Sequence, residues 1–329
     1  MYVTGRYLMK TPLTDPEGSG SGFSGFRRAP ELGKQETEIL KESASVVPSP
    51  LRAARALKVI RPPVFSIVTI ASGISTLARY SDLLYTLTLF RLTVRYKQSV
   101  LGWIWAALQP LALMTIYTLV FSRVARVTSE GMPYPLFVFS ALLPWIFFSS
   151  AVTNAVNGLA NSPALLTRMY FPREIIPLSY VAAAFVDFGI AFILLSGLMR
   201  YYRVPLSWTA LYAVPLLAIL CMFTTAVALF LSSLQVRFRD VAVALPLFLQ
   251  VGMFATPIVY PIQSVPNRFQ RVFLLNPVAS LIENFRRAVL HGVAPDTRML
   301  LTSATLTFLC LALAYSYFKA RESTMADII

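Results

Sequence analysis

From residue 99 to the C-terminus the chain alternates between apolar runs of about 20 residues and short polar connections. About 20 helical residues, at 1.5 Å rise each, match the roughly 30 Å hydrocarbon layer of a bilayer. Six runs reach that length and predict six crossing helices, over 102–121, 136–157, 176–199, 208–231, 241–260 and 299–318. Pro215 is expected to kink the fourth, and Pro246, Gly252 and Pro257 to interrupt the fifth. Proline is tolerated at such depth when neighbouring helices re-satisfy the freed carbonyls. Between the last two runs, residues 261–298 hold an apolar piece, 272–282, that is too short to cross. A re-entrant or interfacial pair of helices is predicted there.

Upstream of residue 99 the pattern changes. In residues 80–98, Leu83, Leu84, Leu87, Phe90 and Val94 recur at helical spacing, with Arg91, Arg95 and Lys97 beyond them. This predicts an amphipathic helix in the cytoplasmic interface, apolar face down and cations toward lipid phosphates. The plainer alternative is a cationic lead-in to the first span. Residues 64–78 are mildly apolar, shorter than a span, and read as interfacial. Residues 1–58 carry Gly-Ser-Gly-Ser-Gly at 18–22, scattered prolines and charges of both signs, and read as a disordered tail. They lack a continuous apolar core and do not read as a cleaved signal peptide. The expected organisation is a disordered cytoplasmic tail over 1–58, an interfacial segment with its amphipathic helix over 59–98, and a transmembrane domain over 99–329. Six spans place both termini on one side, and the cations just before the first assign that side to the cytoplasm.

Composition agrees with an all-α integral membrane protein. Hydrophobic residues make up 56% of the chain and charged residues 13%, about half the charged share of roughly 25% in soluble domains. A net charge of +14 would suggest nucleic acid in a soluble protein. Here the cations lie in the tail and the connections, where they orient spans and meet anionic lipid, so no nucleic-acid partner is expected. Cys221 and Cys310 fall inside apolar runs and read as small packing residues. The single histidine, His291, has no cysteine or acidic cluster beside it, so no metal site is expected.

Candidate chemistry is sparse. There is no Gly-Lys-Ser/Thr phosphate loop and no Gly-x-Ser-x-Gly elbow. Any ATP-driven work must therefore draw on another chain. Asp187 is an acid near the middle of a predicted span, where ionisable groups are expensive and functional by default. It either lines a conduit or fixes a helix contact, or it is satisfied by a polar neighbour such as Gln109, Asn154 or Gln250. The inner loop LLTRMYFPREIIP, 165–177, mixes cations, aromatics, a glutamate and two prolines. Pro172 fixes a break there, and Arg173 and Glu174 beside it are expected to dock on a cytoplasmic partner; a plain turn with anchoring aromatics is the alternative. Trp103, Trp105, Tyr134, Trp145, Tyr201, Tyr202, Trp208 and Tyr260 lie near span ends and read as an interfacial belt.

Three motifs are similar to those of one family. VRYKQSVLGWIWAALQP (94–110), YFPREIIPLS (170–179) and NPVASLIENFRRAVLHG (276–292) occur in order among the six predicted spans. They resemble the type-2 ABC exporter permeases of polysaccharides, those for O-antigen or teichoic-acid chains above all, over roughly residues 80–320. The resemblance implies a homodimer of six-span subunits in the bacterial cytoplasmic membrane, joined by two ABC ATPase subunits that bind ATP and Mg, with no cofactor on this chain. A polyprenyl-pyrophosphate-linked glycan would pass between the two copies. Carried onto this chain, Arg91, Arg95, Tyr96 and Lys97 fall on the interface helix as headgroup candidates. Arg168, Tyr170, Phe171, Pro172, Arg173 and Glu174 fall on the coupling or gate loop. Trp105, Tyr117 and Trp145 are the aromatics that would face the conduit and stack on sugar rings. The long tail departs from the family pattern, as does Leu92-Thr93, where relatives often carry an acid after the arginine.

Other functions remain open on sequence. A type-2 exporter of drugs or small lipids shares the span pattern. A membrane-embedded glycosyl- or acyltransferase needs a catalytic acid or histidine near a membrane face, and His291 has only Glu283 in its segment. A secondary transporter would show internal repeats, and none is seen.

Overall fold

The computed structural model describes residues 78–97, 99–129, 131–161, 171–266, 273 and 275–328. The tail 1–58, the interfacial stretch up to residue 77, and Arg168 and Tyr170 lie outside the described residues.

The regular structure of the described residues is all helical. Helix α1 spans Ser81–Lys97. α2 spans Ile104–Tyr117 and loosens into a π turn over Thr118–Val124, where Ala125 donates to the carbonyl of Val120 at 3.0 Å. α3 spans Tyr134–Ala160 and α4 Ile175–Tyr201. A 3-10 turn, Trp208–Tyr212, leads into α5, Ala213–Arg237. α6 is Asp240–Phe254, α7 is Pro277–Val289 and α8 is Thr297–Ile328. Among the described residues, five helical stretches are long and apolar enough to cross a membrane: Ile104–Val124, Tyr134–Ala160, Ile175–Tyr201, Trp208–Arg237 and Thr297–Glu322.

Three details differ from the sequence expectation, each for a local reason. The run 241–260 is helical only to Phe254, so α6 has 15 residues, about 22 Å of rise. The helix runs through Pro246 and Gly252 and stops short of Pro257. Pro215 does not kink a helix centre. It occupies the first turn of α5, where a missing N–H leaves no hydrogen bond unmade. In α1 the buried stripe is Thr88, Leu92 and Tyr96, while Phe90 and Val94 are exposed.

α3 is the hub. It is buried along most of its length and packs on α2, α4, α5, α6 and α7. Lipid supplies no hydrophobic force between helices, so close approach through small residues matters. Ala151 and Ala155 of α3, Ala183, Ala184 and Ala191 of α4, and Ala226 and Ala228 of α5 are all buried. At Gly158 an added Cβ would fall 1.9 Å from the Tyr180 ring, so that ring lies directly on the α3 backbone.

α7 is enclosed by protein. Asn276 caps it, its side chain accepting from the N–H groups of Val278 and Ala279 at 3.1 and 3.4 Å, and Pro277 takes the first helical position. Arg286 is fully buried within it. Its guanidinium pairs with Glu283 at 3.0 Å, donates to the carbonyls of Pro257 and Ile258 at 2.8 and 3.3 Å, and covers the Phe137 ring at 3.9 Å. Tyr134 donates to the carbonyl of Val259 at 2.6 Å. These groups satisfy the backbone released where α6 ends, as non-helical chain at this depth requires.

Candidate functional site

Asp187 joins α4 to α1. Its carboxylate accepts a hydrogen bond from the Tyr96 hydroxyl at 2.8 Å and pairs with the Arg95 guanidinium. Burial pushes the Tyr96 hydroxyl up to about 12, reinforced by its bond to Asp187, so it stays a donor. Trp103 stacks on Tyr96, ring centroids 4.6 Å apart. The chain reaches that position through Gly102, whose φ of +52° suits the tight turn between α1 and α2. The polar partners of Asp187 are thus Arg95 and Tyr96 of α1, a helix contact, rather than Gln109, Asn154 or Gln250, and Asp187 also lines the adjoining cavity.

Both α1 arginines contact protein, Arg95 while still about a third exposed, which alters the expectation that they point toward lipid phosphates. Arg91 lies over the Tyr180 ring at 4.3 Å, and its Nε and Nη2 are buried without hydrogen-bond partners. Tyr180 in turn rests on Gly158. Lys97 is exposed. The buried stripe of α1 carries the arginines inward because Thr88, Leu92 and Tyr96 lie between and beside them at i, i+4 spacing.

A cavity of about 610 Å³ opens next to Asp187, among α1, α2, α3, α4 and α6. Trp105 and Gln109 of α2 face Trp145, Ser150, Thr153 and Asn154 of α3 across it, and Met253 closes one side. Gly252 lets α6 approach the wall, since a Cβ there would lie 3.2 Å from the Trp145 ring. Aromatic faces with amide and hydroxyl groups suit a polyhydroxylated ligand, and the paired Arg95 and Asp187 stand in the same wall. Tyr117 is not part of this lining; its hydroxyl contacts the Met253 sulfur at 3.4 Å.

The loop before α4 is fastened to the end of α8. Glu174 is fully buried. It pairs with Lys319 and accepts from the Tyr315 hydroxyl at 3.2 Å. Lys319 also pairs with Glu322 at 3.0 Å, and the Arg173 N–H donates to Glu322 at 3.1 Å while its guanidinium meets the Glu322 carbonyl. Burial pushes the Glu174 carboxyl above its ordinary value, with Lys319 opposing that shift. Phe171 packs on the apolar cluster of Leu159, Ile176, Leu229 and Phe318. The expectation that Arg173 and Glu174 project to a partner therefore gives way to an internal contact with α8. Sequence reasoning missed Lys319, Glu322, Glu283 and Arg286. The i, i+3 spacing of each acid–base pair was the available signal.

Several helices apolar and long enough to cross a bilayer, packed around a cavity lined by aromatic and polar side chains, define a multi-pass membrane protein. The chain belongs to the ABC-2 type transporter family, whose profile matches residues 82–290. It is 32% identical over 257 residues to the O-antigen export system permease protein RfbA of Myxococcus xanthus, covering 77% of this chain and 97% of the relative. An RfbA of the same description from Klebsiella pneumoniae is 34% identical over 219 residues, covering 64% of this chain and 82% of the relative. The polysialic acid transport protein KpsM of Escherichia coli is 24% identical over 252 residues, covering 73% and 93%.

Proposed function

We propose that this chain is the permease subunit of an ABC exporter that moves a lipid-linked polysaccharide, O-antigen-like, across the bacterial cytoplasmic membrane. Two copies assemble with two ABC ATPase subunits, which bind ATP and Mg. The observation that carries the reading is the pairing of a tryptophan-bearing cavity, dotted with amide and hydroxyl groups, with two uncovered helices. Pro110 is the buried residue of α2 and Leu245 that of α6. Ile104, Trp105, Val243, Leu247 and Phe248 stand exposed on them. A second copy set against α2 and α6 would cover these faces and join two cavities into one conduit. The names of the relatives, with 97% of one of them covered, support a glycan as the cargo.

In this reading the chain crosses six times, α6 serving as the fifth crossing, with the buried residues 256–259 and α7 completing it as a re-entrant unit. Both termini are cytoplasmic, and α1 lies at the inner leaflet. Lys97, exposed at the end of α1, is the cation open to a headgroup, since Arg91 packs over Tyr180 with buried nitrogens and Arg95 is engaged by Asp187. The 158–175 loop receives the ATPase motion and passes it to α8 through Glu174 and Lys319. The test fills the cavity. Ser150→Leu with Asn154→Leu is expected to leave an inserted, ATPase-associated complex that brings no polysaccharide to the cell surface. Normal surface polysaccharide from a correctly inserted double variant overturns the reading.

A further inference from the structure

A second concavity, of about 590 Å³, lies between α5 and α8, remote from the Asp187 cavity in its lining. Ala226, Val227 and Phe230 form one wall, and Cys310, Ala314 and Tyr317 the other. The walls are almost wholly apolar, and small residues deepen the floor at a level where two crossing helices meet. We propose that this groove is a binding site for one anionic phospholipid, with an acyl chain along the alanine floor and the phosphate held by Arg237 and Arg321.

The placement of the arginines carries the proposal. Seven residues are almost two helical turns, so positions i and i+7 share a face. Arg237 is seven residues beyond Phe230, and Arg321 is seven beyond Ala314. Each arginine thus continues the stripe that lines the groove, roughly 10 Å further along its helix. Phe230 and Tyr317 meet across the groove at 5.2 Å, which sets the two helices in register. The Arg321 guanidinium lies 5.7 Å from the centre of the Tyr317 ring, which lines the groove. Both arginines are exposed. Lys319 lies on the other side of α8, beside Glu174 and Glu322. An apolar slot with a cation on each wall at one end matches a phospholipid in both halves: hydrocarbon along the slot, and phosphate oxygens at guanidinium groups suited to bidentate contact.

The test uses the full chain reconstituted in lipid nanodiscs. Phosphatidylglycerol and phosphatidylcholine, each carrying the same photoactivatable diazirine in one acyl chain, are compared at equal concentration, and adducts are mapped by mass spectrometry. Phosphatidylglycerol is expected to label the segments 226–231 and 310–320 in preference to phosphatidylcholine. Each arginine contributes about fivefold, the effect of one cation at an anionic lipid surface. Arg237→Gln with Arg321→Gln removes the preference while leaving phosphatidylcholine labelling unchanged. Ser316→Trp, which fills the groove, lowers labelling by both lipids there and not on α2. Equal labelling by the two lipids in the unaltered protein overturns the proposal, because the groove is then solvated by lipid at large. So does efficient crosslinking of two copies through Cys310, which places protein in the groove.

Discussion

Removing Lys319 and removing the charge of Glu174 have unequal consequences, because the two partners are buried to different degrees. The Glu174 side chain has no exposure, whereas Lys319 is 20% exposed and retains Glu322 as a second partner. Glu174→Gln therefore leaves an ammonium group with a carboxylate and access to water, and is expected to destabilise by about 1 kcal/mol. Lys319→Met leaves a buried carboxylate with the Tyr315 hydroxyl as its remaining donor. Two charges about 4 Å apart interact by roughly 4 kcal/mol at an effective dielectric of 20, and breaking a buried pair from one side costs about 3–5 kcal/mol. A loss near 3 kcal/mol is expected for Lys319→Met. Protonation limits the damage: burial already pushes the Glu174 carboxyl upward, and without Lys319 the shift grows. A carboxyl whose folded-state pKa is raised favours the folded protein at low pH and loses that contribution as pH rises through the raised value. Lys319→Met should therefore regain stability relative to the unaltered protein as pH falls from about 8 to about 5, at up to about 1.4 kcal/mol per unit of pKa displacement. The assay is thermal unfolding of the detergent-solubilised chain at several pH values. A Glu174→Gln variant less stable than Lys319→Met, or a Lys319→Met deficit that does not change with pH, refutes the reasoning.

Asp187→Asn is expected to weaken both α1 contacts, by roughly 1–2 kcal/mol in total given that Arg95 is about a third exposed; protease cleavage between α1 and α2 should accelerate, and unchanged cleavage argues against the clamp. Arg286→Met removes the guanidinium that pairs with Glu283 and donates to the carbonyls of Pro257 and Ile258, and should lower stability by about 3 kcal/mol, read as loss of monodisperse protein in detergent. Glu283→Gln should be milder. Gly158→Ala drives a methyl group into the Tyr180 ring and should cost about 1–3 kcal/mol, with Tyr180→Ala restoring part of the loss in the double variant. The purified chain alone, lacking a phosphate loop, should show no stoichiometric ATP binding by calorimetry.

The helical architecture was legible in the sequence because bilayer thickness imposes a length that apolar runs report directly. Five of the six predicted runs correspond to full-length helical stretches. The remaining one ends early at Phe254, ahead of Pro257, and the compensation by Arg286 comes from a segment 28 to 29 residues away. Periodicity correctly predicted a helix over α1 but not its protein-facing side. Tyr96 and Arg95 turn inward to meet Asp187, and a contact spanning 92 positions leaves no local pattern. The same holds for Glu174, read from its place beside Pro172 as outward-facing. Its partners lie on α8, 141 or more residues later. Trp105 and Trp145 were singled out as conduit aromatics and do line the cavity, whereas Tyr117, on the same helix as Trp105, turns to Met253. Span-end position alone does not separate those orientations.

The most direct test of the account asks whether polymer occupies the cavity during export. A photoreactive benzoylphenylalanine at position 150 or 154, between Trp105 and Trp145, is introduced in cells that synthesise the lipid-linked polysaccharide. Irradiation during active export is expected to attach polysaccharide to this chain, with the adduct lost when the partner ATPase cannot hydrolyse ATP. The same photoreactive residue at position 308, exposed on α8, should give no glycan adduct. Glycan adducts at position 308 and none at 150 or 154 in an export-competent cell would contradict the account.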